Sequence, residues 1–321
     1  MTTQVPTTPD RRAGPRSSWA LARAEATRLT SYRSVRWALY ALPVIVIAYG
    51  LSRLLLHDTD VATAWTHAEA EYQKALLTAP SHGLDISSVS AANWYHEPRY
   101  MTATEAFVDM RALMSALGAA ALGLGIIAGG ADWTSRVMLT LSTAEPRRGA
   151  LFAVRAVLTA AIAAGAATCA GILLVPTLLL AGRWKGSLNG LDADFWTVLA
   201  GQYTRGIVYV SLMGLLGYAL AMLLRRTSAA LAVAFVYLAF AEQLISDYAP
   251  DLDERHLQGV TFAILNDKPV IPLADSVCMA GPGCEAIHVD LTQTDGFLTL
   301  LAYVLPVLLA AAWRHTRTDI G

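Results

Sequence analysis

Ala131–Gly149, ADWTSRVMLTLSTAEPRRG, is a polar, arginine-bearing segment between two long apolar runs, and its reading decides how the chain is placed. Asp132 is positioned to cap a short helix on which Trp133, Val137 and Leu141 recur at i, i+4 and i+8 and share one face. Pro146 ends that helix, because proline lacks the N–H and its ring clashes with the preceding turn. Arg136, Glu145, Arg147 and Arg148 carry the charge, the last two at the mouth of the next apolar run. One reading is a surface that transmits motion to a soluble partner; the other is an interfacial connector with stop-transfer charges. The segment alone does not separate them.

Only 15% of the 321 residues are charged and 55% are apolar, whereas soluble domains carry roughly 25% charged residues. The apolar residues gather in runs of about twenty, the length that crosses a bilayer core of roughly 30 Å. The expected fold is an all-α polytopic membrane protein of six spans, at about 37–56, 112–130, 150–181, 206–224, 228–246 and 297–313. The third run covers 32 residues, about 48 Å of helix at 1.5 Å per residue, and Pro176 is its expected bend. Ala121, Gly125 and Gly129 on the second span, and Ala161 and Gly165 on the third, are small residues at the spacing that lets helices approach closely. The first long run begins near Trp37, too late and too long for a cleavable signal peptide.

Residues 1–17, rich in Pro, Thr, Ser and Arg, read as a disordered cytoplasmic tail. Over 18–36, Trp19, Ala22, Ala26, Leu29 and Tyr32 recur at helical spacing, with Arg23, Glu25, Arg28 and Arg33 largely on other sides. This predicts an amphipathic helix on the membrane surface, or alternatively an ordinary solvated helix before the first span. Segments 1–36, 131–149, 225–227 and 314–321 hold fourteen arginines and five acids, while the loops and span ends on the other side hold nine basic and twenty acidic residues. The positive-inside rule therefore places the arginine-rich segments and both termini in the cytoplasm. The excess of arginine over lysine, 21 to 3, suggests a GC-rich bacterial genome and hence the cytoplasmic membrane of a bacterium.

Two outer loops are long. In 57–103, Val61, Trp65, Ala68, Tyr72 and Leu76 form the stripe of a surface helix; 247–296 carries Cys278 and Cys284, which form either a local disulfide or two free thiols. Such a disulfide would be worth about 2–3 kcal/mol. Charges inside the apolar runs are costly, and Arg53, Glu105, Asp109, Arg111, Arg205 and Glu242 sit towards the outer ends. Glu105 and Asp109 are one turn apart and invite Arg53, Arg111 or Arg205 as partner; the readings are structural pairs, an exit lining or snorkelling side chains. No broken helix or polar site is legible at mid-membrane.

The sequence contains no G-x-x-x-x-G-K-[ST], H-E-x-x-H, C-x-x-C or G-x-S-x-G, and the spacings of His57, His67, His82 and His96 match no zinc motif. No catalytic, cofactor-binding or metal-binding residue is assigned, the chain is not expected to be an enzyme, and nothing points to nucleic acid.

RAEATRLTSYRSVRWALYALPVIVIAYG, from Arg23 to Gly50, resembles the start of many bacterial ABC-2 type transporter permeases. GGADWTSRVMLTLSTAEPRRGALFAVRAV, from Gly129 to Val157, resembles their turn and helix between the second and third spans. Arg225 and Arg226, and the basic tail WRHTRTDIG, fit the same layout. The resemblance implies a membrane subunit that pairs with a second copy or a sister permease and engages a separate ATPase holding ATP and Mg²⁺. It makes 18–36 an elbow helix and 132–145 a coupling helix, with Trp133, Val137 and Leu141 in a groove of the ATPase and Arg136, Arg147 and Arg148 on its rim or on lipid phosphate. The alternative is a non-transporting assembly or sensory subunit whose outer loops bind a partner. The substrate is not legible.

Overall fold

A computed structural model describes residues 18–78, 90–134, 148–242, 244, 248, 255–266, 270–273, 287–290 and 292–317. Helix α1 (Ser18–Ser31) leads into α2 (Arg33–Leu56), and α3 (Val61–Thr78) is followed by a 3-10 turn at Ala91–Trp94. The two-residue strand β1 (Tyr100–Met101) precedes α4 (Thr102–Thr134). Helix α5 (Arg148–Lys185) ends at β2 (Gly186–Ser187), and α6 (Ala193–Leu224) follows. Helix α7 (Thr227–Val236) continues as a π turn over Tyr237–Ala241, and α8 (Leu257–Leu265) is short. An antiparallel pair, β3 (Val270–Leu273) and β4 (Ile287–Asp290), comes before α9 (Gln293–Arg317).

Helices α2, α4, α5, α6 and α9 are long and apolar enough to cross a membrane, the make-up of a multi-pass helical membrane protein. They overlie five of the six expected spans, and each runs longer than expected. The apolar window closes where charge begins, but the helix does not: α6 starts at Ala193, capped by Asp192, whose carboxylate accepts the Phe195 N–H at 2.9 Å. The remaining expected span, 228–246, is described over Thr227–Ala241, with Glu242 directly after it. Helix α5 has 38 residues, about 57 Å at 1.5 Å per residue, and stays a single helix through Pro176.

The axis of the bundle is the α4–α6 seam. In these two helices 50% and 56% of the apolar stretch is buried, against 11% in α2 and 22% in α9, which leaves the outer helices facing their surroundings. Gly125 and Gly217 make the seam possible, because a methyl group at either would overlap backbone atoms of the facing helix, at Gly214 and Leu122 respectively. The small-residue row of the second span is thus an internal contact. Gly165, from the other row, has nothing within 4 Å of where a Cβ would stand.

At the end of the bundle away from the arginine-rich segments, β1 pairs in parallel with β2, Tyr100 opposite Gly186, which ties the start of α4 to the end of α5. The expected stripe on α3 has a partner there. Ala68 is buried, the Trp65 ring stacks on Tyr95 at 4.4 Å, and Tyr72 lies 5.5 Å from Trp94.

Helix α8 departs from the expectation that 247–296 is an outer loop. Its Leu257, Val260, Ala263, Ile264 and Leu265 are all buried, and it packs against α4, α6 and α9. Its Thr261 hydroxyl is 2.9 Å from the Tyr209 hydroxyl, and Tyr209 lies beside Gly118, at the middle of the 33-residue α4. A nine-residue helix therefore begins at mid-height in the bundle. Such an interrupted element is tolerated at membrane depth where protein surrounds it. Nine residues are too few to register as a span.

Candidate functional site

Four charges meet at the arginine-rich end. Arg155, seven residues into α5, is fully buried, with Glu25 of α1 and Asp132 of α4 at 4% and 2% exposure. Its Nε donates to Glu25 Oε2 at 3.0 Å and its Nη2 to Asp132 Oδ2. Arg28 closes the figure, bonded to Glu25 Oε1 at 3.4 Å and to Asp132 Oδ1. Tyr32 adds its hydroxyl to Asp132 Oδ1 at 2.5 Å. Positive and negative alternate around a ring whose formal charge sums to zero, so each ion has two partners in place of the water it has lost.

The ring changes two expectations. Helix α4 runs through Thr134, so Asp132 caps no separate helix; it stands in the last turn of α4 with its carboxylate committed to the ring. On α1, Glu25 is at the centre of the buried face beside Leu29, while Trp19 is 75% exposed. Ala22, Ala26, Leu29 and Tyr32 of the expected stripe lie on this inward side, and Glu25 joins them because Arg155 and Arg28 meet it there as counterions. Glu25, Arg28, Tyr32 and Arg155 were not among the sequence candidates. The available signal was Arg155 itself, a charge inside an apolar run, which has to find partners.

Next to the ring, Trp133 is half-buried and points into the chain. Its indole Nε1 donates to Met222 Sδ at 3.4 Å, the Arg225 guanidinium lies 4.7 Å over the ring, and His315 meets its edge at 6.3 Å. Arg225 takes the left-handed conformation (φ 58°) that ends α6, and Arg314 donates to Leu223 O in the same last turn, where a cation suits the helix dipole. Arg148 opens α5. Arg136, Val137, Leu141, Glu145 and Arg147 lie outside the described residues, as do residues 1–17, Cys278 and Cys284.

The six rim charges sort into two groups. Asp109 is fully buried, paired with Arg53, and accepts the hydroxyls of Tyr49 and Tyr100 at 2.8 Å each. Burial and the neighbouring Asp109 carboxylate push the Tyr100 hydroxyl well above the ordinary phenol range, so it remains a donor. Glu105, one turn earlier, is half-buried near Tyr100.

The other three charges serve α8. Arg205 Nε donates to Ile264 O at 3.1 Å and Arg111 binds the Asn266 side chain, both at the C-terminal end of that helix. Glu242 accepts the Gln258 N–H at 3.3 Å, at its N-terminal end. Anion at the start and cations at the finish match the helix dipole. Gln202 Nε2 completes the seat with bonds to Leu265 O and Phe107 O at 2.8 and 3.0 Å.

No group of His, Cys, Asp and Glu among the described residues is arranged to hold a metal ion. No protein-family model matches the chain, and no curated protein sequence matches it.

Proposed function

We propose that the chain is the permease subunit of an ABC exporter in a bacterial cytoplasmic membrane, crossing it six times with both termini inside, and driven by a separate ATPase. The observation that carries this reading is the buried ring of Glu25, Arg28, Asp132 and Arg155. It fastens α1 to both helices that flank residues 135–147, so a push on that segment reaches α1, α4 and α5 together. The asymmetry of basic residues supports a cytoplasmic setting for the ring. The sequence has no phosphate-binding loop, so ATP hydrolysis would fall to the partner. Trp133 would then act from within, bracing the base of the coupling segment against α6 and α9, while Val137 and Leu141 supply the contact with the ATPase.

The test is co-purification from native membranes. The wild-type chain should bring an ATP-hydrolysing subunit with it, and Val137→Asp combined with Leu141→Asp should lose that subunit while remaining in the membrane. Recovery of the ATPase at the wild-type level by the double variant, or no ATPase with the wild type, overturns the reading. The alternative of a non-transporting subunit draws on one observation, the aromatic packing of α3 onto the 3-10 turn, which makes that loop a folded surface.

A further inference from the structure

In the half of the bundle away from the ring, a cleft of about 430 Å³ opens between α4, α6, the end of α7 and α8. Its polar lining is Arg111, Ser115, Tyr209, Glu242, Gln258 and Thr261, and the rest is apolar. Arg111 and Glu242 have opposite charge and face the same space, yet they form no ion pair with each other. Neither has any other opposite charge within 4 Å among the described residues. Every other charge buried in this chain's ring or around Asp109 has closed on a counterion, so this separation leaves room for a third party.

The two charges sit at different depths. Glu242 is 6% exposed, and Arg111 is half-buried nearer the mouth. Arg111 gives one nitrogen to Asn266 and holds its guanidinium carbon 5.8 Å over the centre of the Phe262 ring, which positions the group and leaves further donors. At the mouth, Ala112, Ala119 and Leu238 are exposed on the outside of the bundle, where acyl chains run.

We propose that this cleft binds the headgroup of a zwitterionic phospholipid bearing a primary amine, with its phosphate on Arg111 and its ammonium on Glu242. The order of burial matches the molecule: phosphate lies closer to the glycerol and the membrane, ammonium at the far tip. An anionic lipid would bring its negative charge to the same place but leave Glu242 uncompensated. The proposal needs only that the chain spans a bilayer, and it stands apart from the exporter reading.

The experiment uses the full chain in bilayers of equal phosphatidylethanolamine and phosphatidylglycerol, with retained lipid counted by native mass spectrometry after extraction. The wild type should retain phosphatidylethanolamine over phosphatidylglycerol by about tenfold, the size of one charge-assisted hydrogen bond. Glu242→Gln should abolish the preference and keep total lipid. Ser115→Leu, which fills the cleft without touching a charge, should remove the excess of phosphatidylethanolamine over phosphatidylglycerol and decides the matter if Glu242→Gln fails to fold. Equal retention of the two lipids by the wild type, or an unchanged preference in Ser115→Leu, overturns the proposal. Displacement of the lipid by soluble glycerophosphoethanolamine at matched concentration also overturns it, and assigns the cleft to a water-soluble zwitterion.

Discussion

At the arginine-rich end four charges close on one another, whereas in the opposite half Arg111 and Glu242 line one cleft and stay apart. Asp109 lies between these extremes, with one arginine and two tyrosine hydroxyls. The comparison separates charge that holds the fold from charge held in reserve. A closed ring is costly to break because removing one member strands the others without water. An uncompensated ion already bears its desolvation penalty, so neutralising it relieves a cost and breaks no pair.

Thermal unfolding of the detergent-solubilised chain would show this ordering. Arg155→Met should have the largest effect, about 3–5 kcal/mol, because it leaves Glu25 and Asp132 buried with Arg28 alone. A loss no greater than that of a surface substitution would mean that the ring holds nothing together. Asp109→Asn should cost about 2 kcal/mol, less than the ring, because Asn still accepts from the tyrosines and Arg53 at 22% exposure can reach water. Tyr32→Phe removes one of three donors to Asp132 and should cost about 1 kcal/mol; a larger loss would show that the hydroxyl, and not the arginines, positions α1. Glu242→Gln should change stability by less than about 1 kcal/mol, or raise it, since Gln keeps an acceptor for the Gln258 N–H. A loss matching that of Arg155→Met would remove the distinction between the two regions.

The same contrast explains what could be read in advance. The long apolar runs are legible because the bilayer demands length and composition together, and α2, α4, α5, α6 and α9 follow. Their ends are not, because helix continues past the last apolar residue wherever a cap such as Asp192 allows it. The ring joins residues 130 apart in sequence, Glu25 and Arg155, and no local pattern announces such a meeting. Glu25 even looked like part of the solvated face of α1, since spacing reports which residues share a side but not what waits opposite. Arg53 with Asp109 was among the pairings offered by the sequence; Arg111 and Arg205 went instead to α8, whose nine residues give no length signal. Spacing puts Trp133 on one face with Val137 without saying what that face meets, and the continuation of α4 turns its indole to Met222.

The glycine-lined seam between α4 and α6 has a mechanical consequence. Where two backbones touch, no layer of side chains is left to slip or repack, and interiors so dense pass from one arrangement to another by whole steps. Those two helices therefore act as a fixed keel. Any rearrangement during a working cycle would be carried by α2 on one flank and by α7 and α9 on the other, swinging against it, while the ring holds α1 to the keel. Spin labels across the keel should report one distance in every state, while labels from keel to flank should report several.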